Sequence, residues 1–116
     1  MNQFAQIPAL IPQELADRLQ DSSTPVQLID VREPEEAAIV SLPGFQLFPL
    51  SQSERWAATL PSQLDRDTET IVLCHHGMRS AYMCQWLINQ GFTQVKNLSG
   101  GIDAYAYEVD PSLPRY

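Results

Sequence analysis

The segment "ETIVLCHHGMRSAYMCQWLINQGFTQVKNL" (residues 69–98) decides the architecture. It opens with "ETIVLC" (69–74), a β-prone apolar run that reads as a buried strand. "HHGM" follows as a tight turn, and the next helix is expected to begin near Arg79 or Ser80. "RSAYMCQWLINQG" (79–91) reads as that helix, with Gly91 as its C-terminal cap. Ala81, Cys84, Leu87 and Ile88 fall on one stripe, the expected core face. "TQVKNL" (93–98) returns to a strand. Strands alternating with helices point to an α/β protein with a mainly parallel sheet.

The same alternation runs outward in both directions. "FAQIPAL" (4–10) is a short extended piece broken by Pro8. "PQELADRLQD" (12–21) begins a helix with Pro12 at its first position, Glu14 in its first turn, and Ile11 where a polar cap usually stands. "VQLID" (26–30) is a strand, and "VREPEEAA" (31–38) carries a short helix opened by Pro34. "VSLPGF" is a turn and "QLFPL" (46–50) another strand. "SQSERWAATLPSQL" (51–64) suggests a helix capped by Ser51, with Glu54 completing a capping box and Pro61 breaking the helix in two. After residue 98 come a Gly-Gly turn, a short helix and the proline-broken tail "DPSLPRY".

With 116 residues, one domain is expected over 1–116, its core about 6–107 and its tail 108–116. Lys and Arg total 7 against 14 Asp and Glu, a net charge of −7. That balance argues against nucleic acid, which needs a basic face. No stretch approaches the ~20 apolar residues of a membrane span, and the start does not read as a signal peptide. The expectation is a cytoplasmic protein with free thiols, since two cysteines make no disulfide scaffold. No cofactor is called for. No metal is expected either: a four-ligand site would need the consecutive Cys74, His75 and His76 around one ion.

Cys74 ends the most buried-looking strand, where ligands of open α/β sheets bind. The loop after it closes onto a helix N-terminus, whose N–H groups lack intrahelical partners and can cradle an anion. Gly77 permits the positive φ that lets successive amides converge. The same partial positive charge favours a thiolate, and Arg79 adds a planar cationic fork. Cysteine, amide cradle and arginine together describe a nucleophile paired with an anion site.

At this point the sequence resembles the single-domain rhodanese-like sulfurtransferases. "CHHGMR" (74–79) matches their C-x-x-G-x-R loop, and "LIDVREPEE" (28–36) looks like their D-V-R-x-x-x-E segment. "LPGF" (42–45) resembles their I-P-G-A turn, and "GFTQVKNLSGGIDAY" (91–105) their G-F-x-x-V-x-x-L-x-G-G-I segment. The resemblance implies a three-layer fold, a five-stranded, mainly parallel sheet flanked by helices on both faces. It implies that Cys74 takes sulfane sulfur from thiosulfate or a persulfide donor and passes it, as a persulfide, to a thiophilic acceptor: cyanide, a small thiol or a protein. The loop residues His75, His76, Gly77, Met78, Arg79 and Ser80 would bind the donor, with Arg79 on its sulfonate end. Val40 and Ser41 stand where the family commonly has Gly-His, which concerns local packing more than chemistry.

Other residues carry two readings each. His75 and His76 either assist the thiolate as cations or, the preferred reading, face solvent and tune the choice of acceptor. Asp30 is either a supporting brace for the loop or, the preferred reading, a cap of the following turn. Arg32 is either a second charge or brace for the loop, or a partner of Glu33, Glu35 or Glu36. Cys84 is read as core, Tyr82 and Trp86 as packing against a neighbouring helix, and Ser80 as a helix cap or a donor to the Cys74 sulfur. Two rivals stand beside sulfur transfer. One is a phosphatase, whose related loop places five residues between Cys and Arg, whereas four separate Cys74 and Arg79 here. The other is a persulfide carrier or binding module with little thiosulfate turnover.

Overall fold

The structure, a computed structural model, describes residues 7–116. Residues 4–6 of the expected first extended piece lie outside that range. The described elements are β1 (Ala9–Leu10), α1 (Pro12–Gln20), β2 (Gln27–Asp30), α2 (Pro34–Ile39), β3 (Gln46–Leu47), a 3-10 turn (Leu50–Gln52), α3 (Ser53–Trp56), α4 (Leu60–Gln63), β4 (Thr70–Leu73), α5 (Met78–Asn89), β5 (Val95–Leu98) and α6 (Gly101–Glu108). The five strands form one sheet in the order β1-β5-β4-β2-β3, and every pairing is parallel.

Strand β4 sits at the centre, and its side chains alternate between the two faces. Val72 and Cys74 pack with Leu60, Met83, Cys84 and Leu87 from α4 and α5. Ile71 and Leu73 pack with Leu15, Ala16, Ile102 and Tyr105 from α1 and α6. These two apolar clusters make three layers, helices on both faces of a buried sheet, as the strand's unbroken apolar run implies.

Local chemistry explains the helix starts. Ile11 has no polar side chain, so the Glu14 carboxylate reaches back and accepts its N–H at 2.9 Å. Glu36 does the same for the Glu33 N–H at 3.0 Å, with Pro34 at the first position of α2.

Several expected elements differ. β3 holds two residues rather than five, because Pro49 has no N–H for the ladder. Only the Phe48 and Leu50 N–H groups continue it, to Asp30 O and Val31 O at 2.8 and 3.3 Å. Ser51 caps no helix; it lies in the 3-10 turn and its hydroxyl bonds the Glu33 carboxylate. The expected helix over 51–64 is in two pieces, α3 and α4, but the break precedes Pro61, which stands in the first turn of α4, where no N–H is needed. Ile88 leaves the core stripe and is 36% exposed.

Candidate active site

β4 ends at Leu73, and Cys74 begins the connection to α5. The helix starts at Met78, ahead of the expected Arg79 or Ser80, so the loop is short. Gly77 makes this possible with φ +107°, the left-handed region that side chains resist. The next crossover fixes which way the loop's peptides face. At the start of α6, the Ile102 N–H donates to Cys74 O at 2.9 Å and the Asp103 N–H to His75 O at 3.1 Å. Both carbonyls are thereby held toward α6. Gly101 permits this approach: a Cβ there would lie 2.3 Å from His75 O and 2.6 Å from Cys74 O.

With those carbonyls claimed, the Gly77 N–H donates to the Cys74 sulfur at 3.0 Å. The N–H groups of His76, Met78 and Arg79 have no backbone acceptor among the described residues. Amides gathered at a helix N-terminus favour negative charge on the atom they face. Cys74 itself is 1% exposed, at the floor of the loop.

Ser80 is fully buried, with its hydroxyl 3.3 Å from the Cys74 sulfur and 2.5 Å from Asn97 Oδ1. Asn97 also donates from Nδ2 to Gly77 O at 3.0 Å, which fixes its amide orientation. Ser80 has one proton. While it donates to Asn97, its lone pairs face Cys74; when it turns, it donates to the sulfur. Asn97 was not singled out by sequence. Its signal is a polar side chain inside the interior strand β5, where only a specific partner justifies it.

Arg79 does not stand open to an oxyanion as expected. Its two terminal nitrogens bond Glu36 at 2.5 and 2.8 Å, a bidentate pair. The Arg79 hydrogen bonds hold the Glu36 carboxyl down at about 2, against partial burial, with help from the Glu33 N–H and the Tyr116 hydroxyl. The same pair pushes the Arg79 pKa up, so it stays cationic. Glu36 is therefore a second missed residue of the site.

Asp30 caps the following turn as expected, accepting the Arg32 N–H at 3.0 Å. It also binds the Arg32 guanidinium at 2.7 Å. Arg32 is fully buried and pairs with none of the Glu33, Glu35 or Glu36 carboxylates among its described contacts. It braces Val40 O at 2.8 Å and the Tyr116 hydroxyl at 3.1 Å. Arg32 thus supports the site from beneath and offers no open charge to a donor.

The two histidines divide. His76 is exposed, and its Nε2 lies 3.8 Å from Asp103 Oδ2. His75 does not face solvent freely: its ring stacks on Tyr116 at 3.9 Å and 7° and lies 3.8 Å from the His76 ring. Its Nε2 is buried without a hydrogen-bond partner among the described residues. Burial first, then the neighbouring His76, pushes the His75 pKa down. The preferred reading, a solvent-facing side chain, therefore holds for His76 and not for His75, and the lowered pKa weighs against the alternative of a cationic His75. His75, His76 and Asp103 bring one ligand-type atom each within 4.8 Å, but both Asp103 oxygens are bound to Arg115 and the two imidazoles lie against each other at a tilt of 31°.

The tail is not a frayed end. Tyr116 donates to Glu36 Oε2 at 2.7 Å and stacks on His75, while Arg115 holds Asp103 at 3.0 Å. Cys84 is buried in the core, and desolvation pushes its thiol up to about 12. Met78 is 64% exposed at the mouth of the loop.

A cysteine following the central parallel strand, its sulfur bound by a loop amide over a helix N-terminus, places a thiol at the ligand-binding end of an α/β sheet. The chain belongs to the rhodanese-like family: the Rhodanese-like domain profile matches residues 11–108. It is 49% identical over 106 residues to the rhodanese-like/PpiC domain-containing protein 12, chloroplastic, of Arabidopsis thaliana, covering 90% of this chain and 36% of that protein. The chain thus spans about a third of that relative's length. A sulfurtransferase of Allochromatium vinosum is 33% identical over 99 residues, covering 81% of this chain and 83% of the other. Among solved structures, a rhodanese-like domain protein of Staphylococcus aureus superposes with TM-score 0.75 at 26% identity, covering 95% of this chain and 99% of that one.

Proposed function

We propose that this chain is a sulfurtransferase that carries sulfane sulfur on Cys74. The observation that carries the reading is the Gly77 N–H on the Cys74 sulfur at 3.0 Å, inside a loop with four residues between Cys74 and Arg79. In this mechanism the Cys74 thiolate attacks the outer sulfur of thiosulfate. A new S–S bond forms, the old one breaks, and sulfite leaves with its electron pair. The outer sulfur of the persulfide anion lies beyond Cys74, where the amides of residues 76–79 can meet it. An acceptor thiolate, or cyanide, then attacks that outer sulfur, and Cys74 leaves as thiolate. The four-residue loop is shorter than the five-residue loop of the phosphatase rival and suits one sulfur atom better than a tetrahedral phosphate. The free thiols Cys74 and Cys84 suit a reducing compartment, and we propose the cytoplasm.

One observation favours a second reading, a carrier with slow thiosulfate turnover. Glu36 fills the Arg79 fork, so a dianionic donor must displace a carboxylate, whereas a persulfide donor need not. Intact mass after exposure to thiosulfate, and separately to an organic persulfide, tests both. A gain of one sulfur atom, lost in Cys74→Ser, supports sulfur transfer. Gain from the persulfide alone selects the carrier reading, and no gain from either refutes both.

A further inference from the structure

We propose that the apolar groove between α3 and α5 docks a protein sulfur acceptor, seating one large apolar side chain of a flexible segment whose thiol reaches Cys74. This rests on the sulfur-transfer reading above. The groove has a volume of about 270 Å³ and is lined by Leu50, Ser53, Trp56, Tyr82, Met83 and Trp86. Its walls are preformed. Trp56 and Trp86 meet edge to face at 5.6 Å, Trp56 meets Phe48 at 5.8 Å, and the Trp56 indole N–H is already bound to Pro49 O at 2.8 Å. The indole offers no free donor there, so the groove selects for apolar shape.

The groove is continuous with the catalytic loop. Met78, Tyr82 and Trp86 follow at four-residue intervals along α5, on one face of the helix. Met78 is 64% and Tyr82 57% exposed. Met78 directly follows Gly77, whose N–H holds the Cys74 sulfur. An apolar strip thus runs from Met78, beside the loop, to Trp86 in the groove over about 12 Å, at ~1.5 Å of helix rise per residue. Sulfur leaves the protein at one end of this strip, so whatever lies on the strip is held beside the departing atom.

The dimensions select the occupant. A groove of about 270 Å³ has room for a single leucine, phenylalanine or tryptophan side chain. An extended segment covers ~3.3 Å per residue, so about three or four residues separate the anchor from the accepting thiol. A small thiol cannot span that distance, whereas a polypeptide can. The net charge of −7 adds attraction for a segment with Lys or Arg near the anchor.

The test loads Cys74 with sulfur from an organic persulfide, removes the excess, and follows sulfur loss by intact mass. Two blocked peptides serve as acceptors, Lys-Trp-Gly-Gly-Ser-Cys and the same peptide with serine for tryptophan. The tryptophan peptide is expected to react about tenfold faster below saturation, the gain from burying one large apolar side chain. In Tyr82→Glu, which places a charge at the exposed edge of the groove, the ratio of the two rates is expected to fall to near one. Equal rates in the unmodified protein, or a preference that survives Tyr82→Glu, overturn the docking site alone. Failure to load Cys74 overturns the sulfur-transfer reading and this inference with it.

Discussion

Replacing Glu36 by glutamine removes one negative charge while keeping the side chain's shape. The carboxyl is held at about 2, against an ordinary value of 4.5. That difference, about 2.5 pH units at ~1.4 kcal/mol each, sets a ceiling of ~3.5 kcal/mol on what ionisation of Glu36 contributes to folding. The ceiling must be discounted, because the Arg79 side chain is 36% exposed and Glu36 19%, and solvent screens such pairs. About 1–1.5 kcal/mol is the expected loss at pH 7. The sign follows from the direction of the shift. A carboxyl with a lowered folded pKa stabilises fully above 4.5, and that stabilisation disappears as pH falls toward 2. Glutamine does not titrate. Urea unfolding of both proteins from pH 7 to pH 2.5 should therefore show a gap that is widest near neutrality and nearly closed at the acid end. A gap that is absent at pH 7, or constant across the range, refutes the claim that the pair is held by charge. The variant also leaves one acceptor oxygen on the Arg79 fork in place of two, so under the proposed thiosulfate reaction KM is expected to fall; a rise would mean that Glu36 positions Arg79 for the donor.

Gly101→Ala should cost at least about 2 kcal/mol, since it combines a left-handed backbone with backbone overlap that no rotamer relieves. Gly44→Ala is the control: it shares the positive φ but meets only the Leu28 side chain at 3.4 Å, and equal losses in the two would remove the case for the α6 clamp on the loop. Tyr116→Ala should raise the His75 pKa toward 6.5 in an NMR titration, because burial is the main cause of its depression. In the unmodified protein, that depression means stability falls as pH drops below about 6.5, and the fall should be weaker in the variant; an unmoved His75 would show that the stack does not shield it. With its thiol pushed up to about 12, Cys84 should resist iodoacetamide at pH 8 in the native state and react only in urea. Native alkylation of Cys84 would contradict its place in the core.

What the sequence disclosed follows from which contacts are local. The apolar run at 70–73, the glycine at 77 and the helical stripe at 81, 84 and 87 are each set by neighbours within a few positions, so the central crossover and its loop were legible. The partners that complete the site are distant. Glu36 meets Arg79 across 43 positions and Tyr116 across 80, while Ser80 meets Asn97 across 17. No periodicity encodes such pairs. Ser51 shows the converse failure: the capping-box pattern is present, but its hydroxyl finds Glu33 instead, 18 positions away. Tertiary hydrogen bonds outcompete a local propensity worth about 1 kcal/mol.

A chain of net charge −7 still places a polarised N–H group on the Cys74 sulfur. The cation nearest the loop in sequence, Arg79, is bound by Glu36, and Arg32 is bound by Asp30, so neither guanidinium is left as an open charge. The remaining local field comes from backbone dipoles. Two loop carbonyls are turned onto α6 by the Ile102 and Asp103 N–H groups, and the Gly77 N–H meets the sulfur. Dipoles fixed within a few ångströms act strongly on an atom that is 1% exposed, while distant surface carboxylates are screened by solvent. Sulfur transfer at Cys74, as proposed, therefore relies on the placement of peptide groups rather than on net charge. That placement depends on Gly77 and Gly101 having no side chain, which makes Gly101→Ala a sharper probe of the anion cradle than removal of any surface charge.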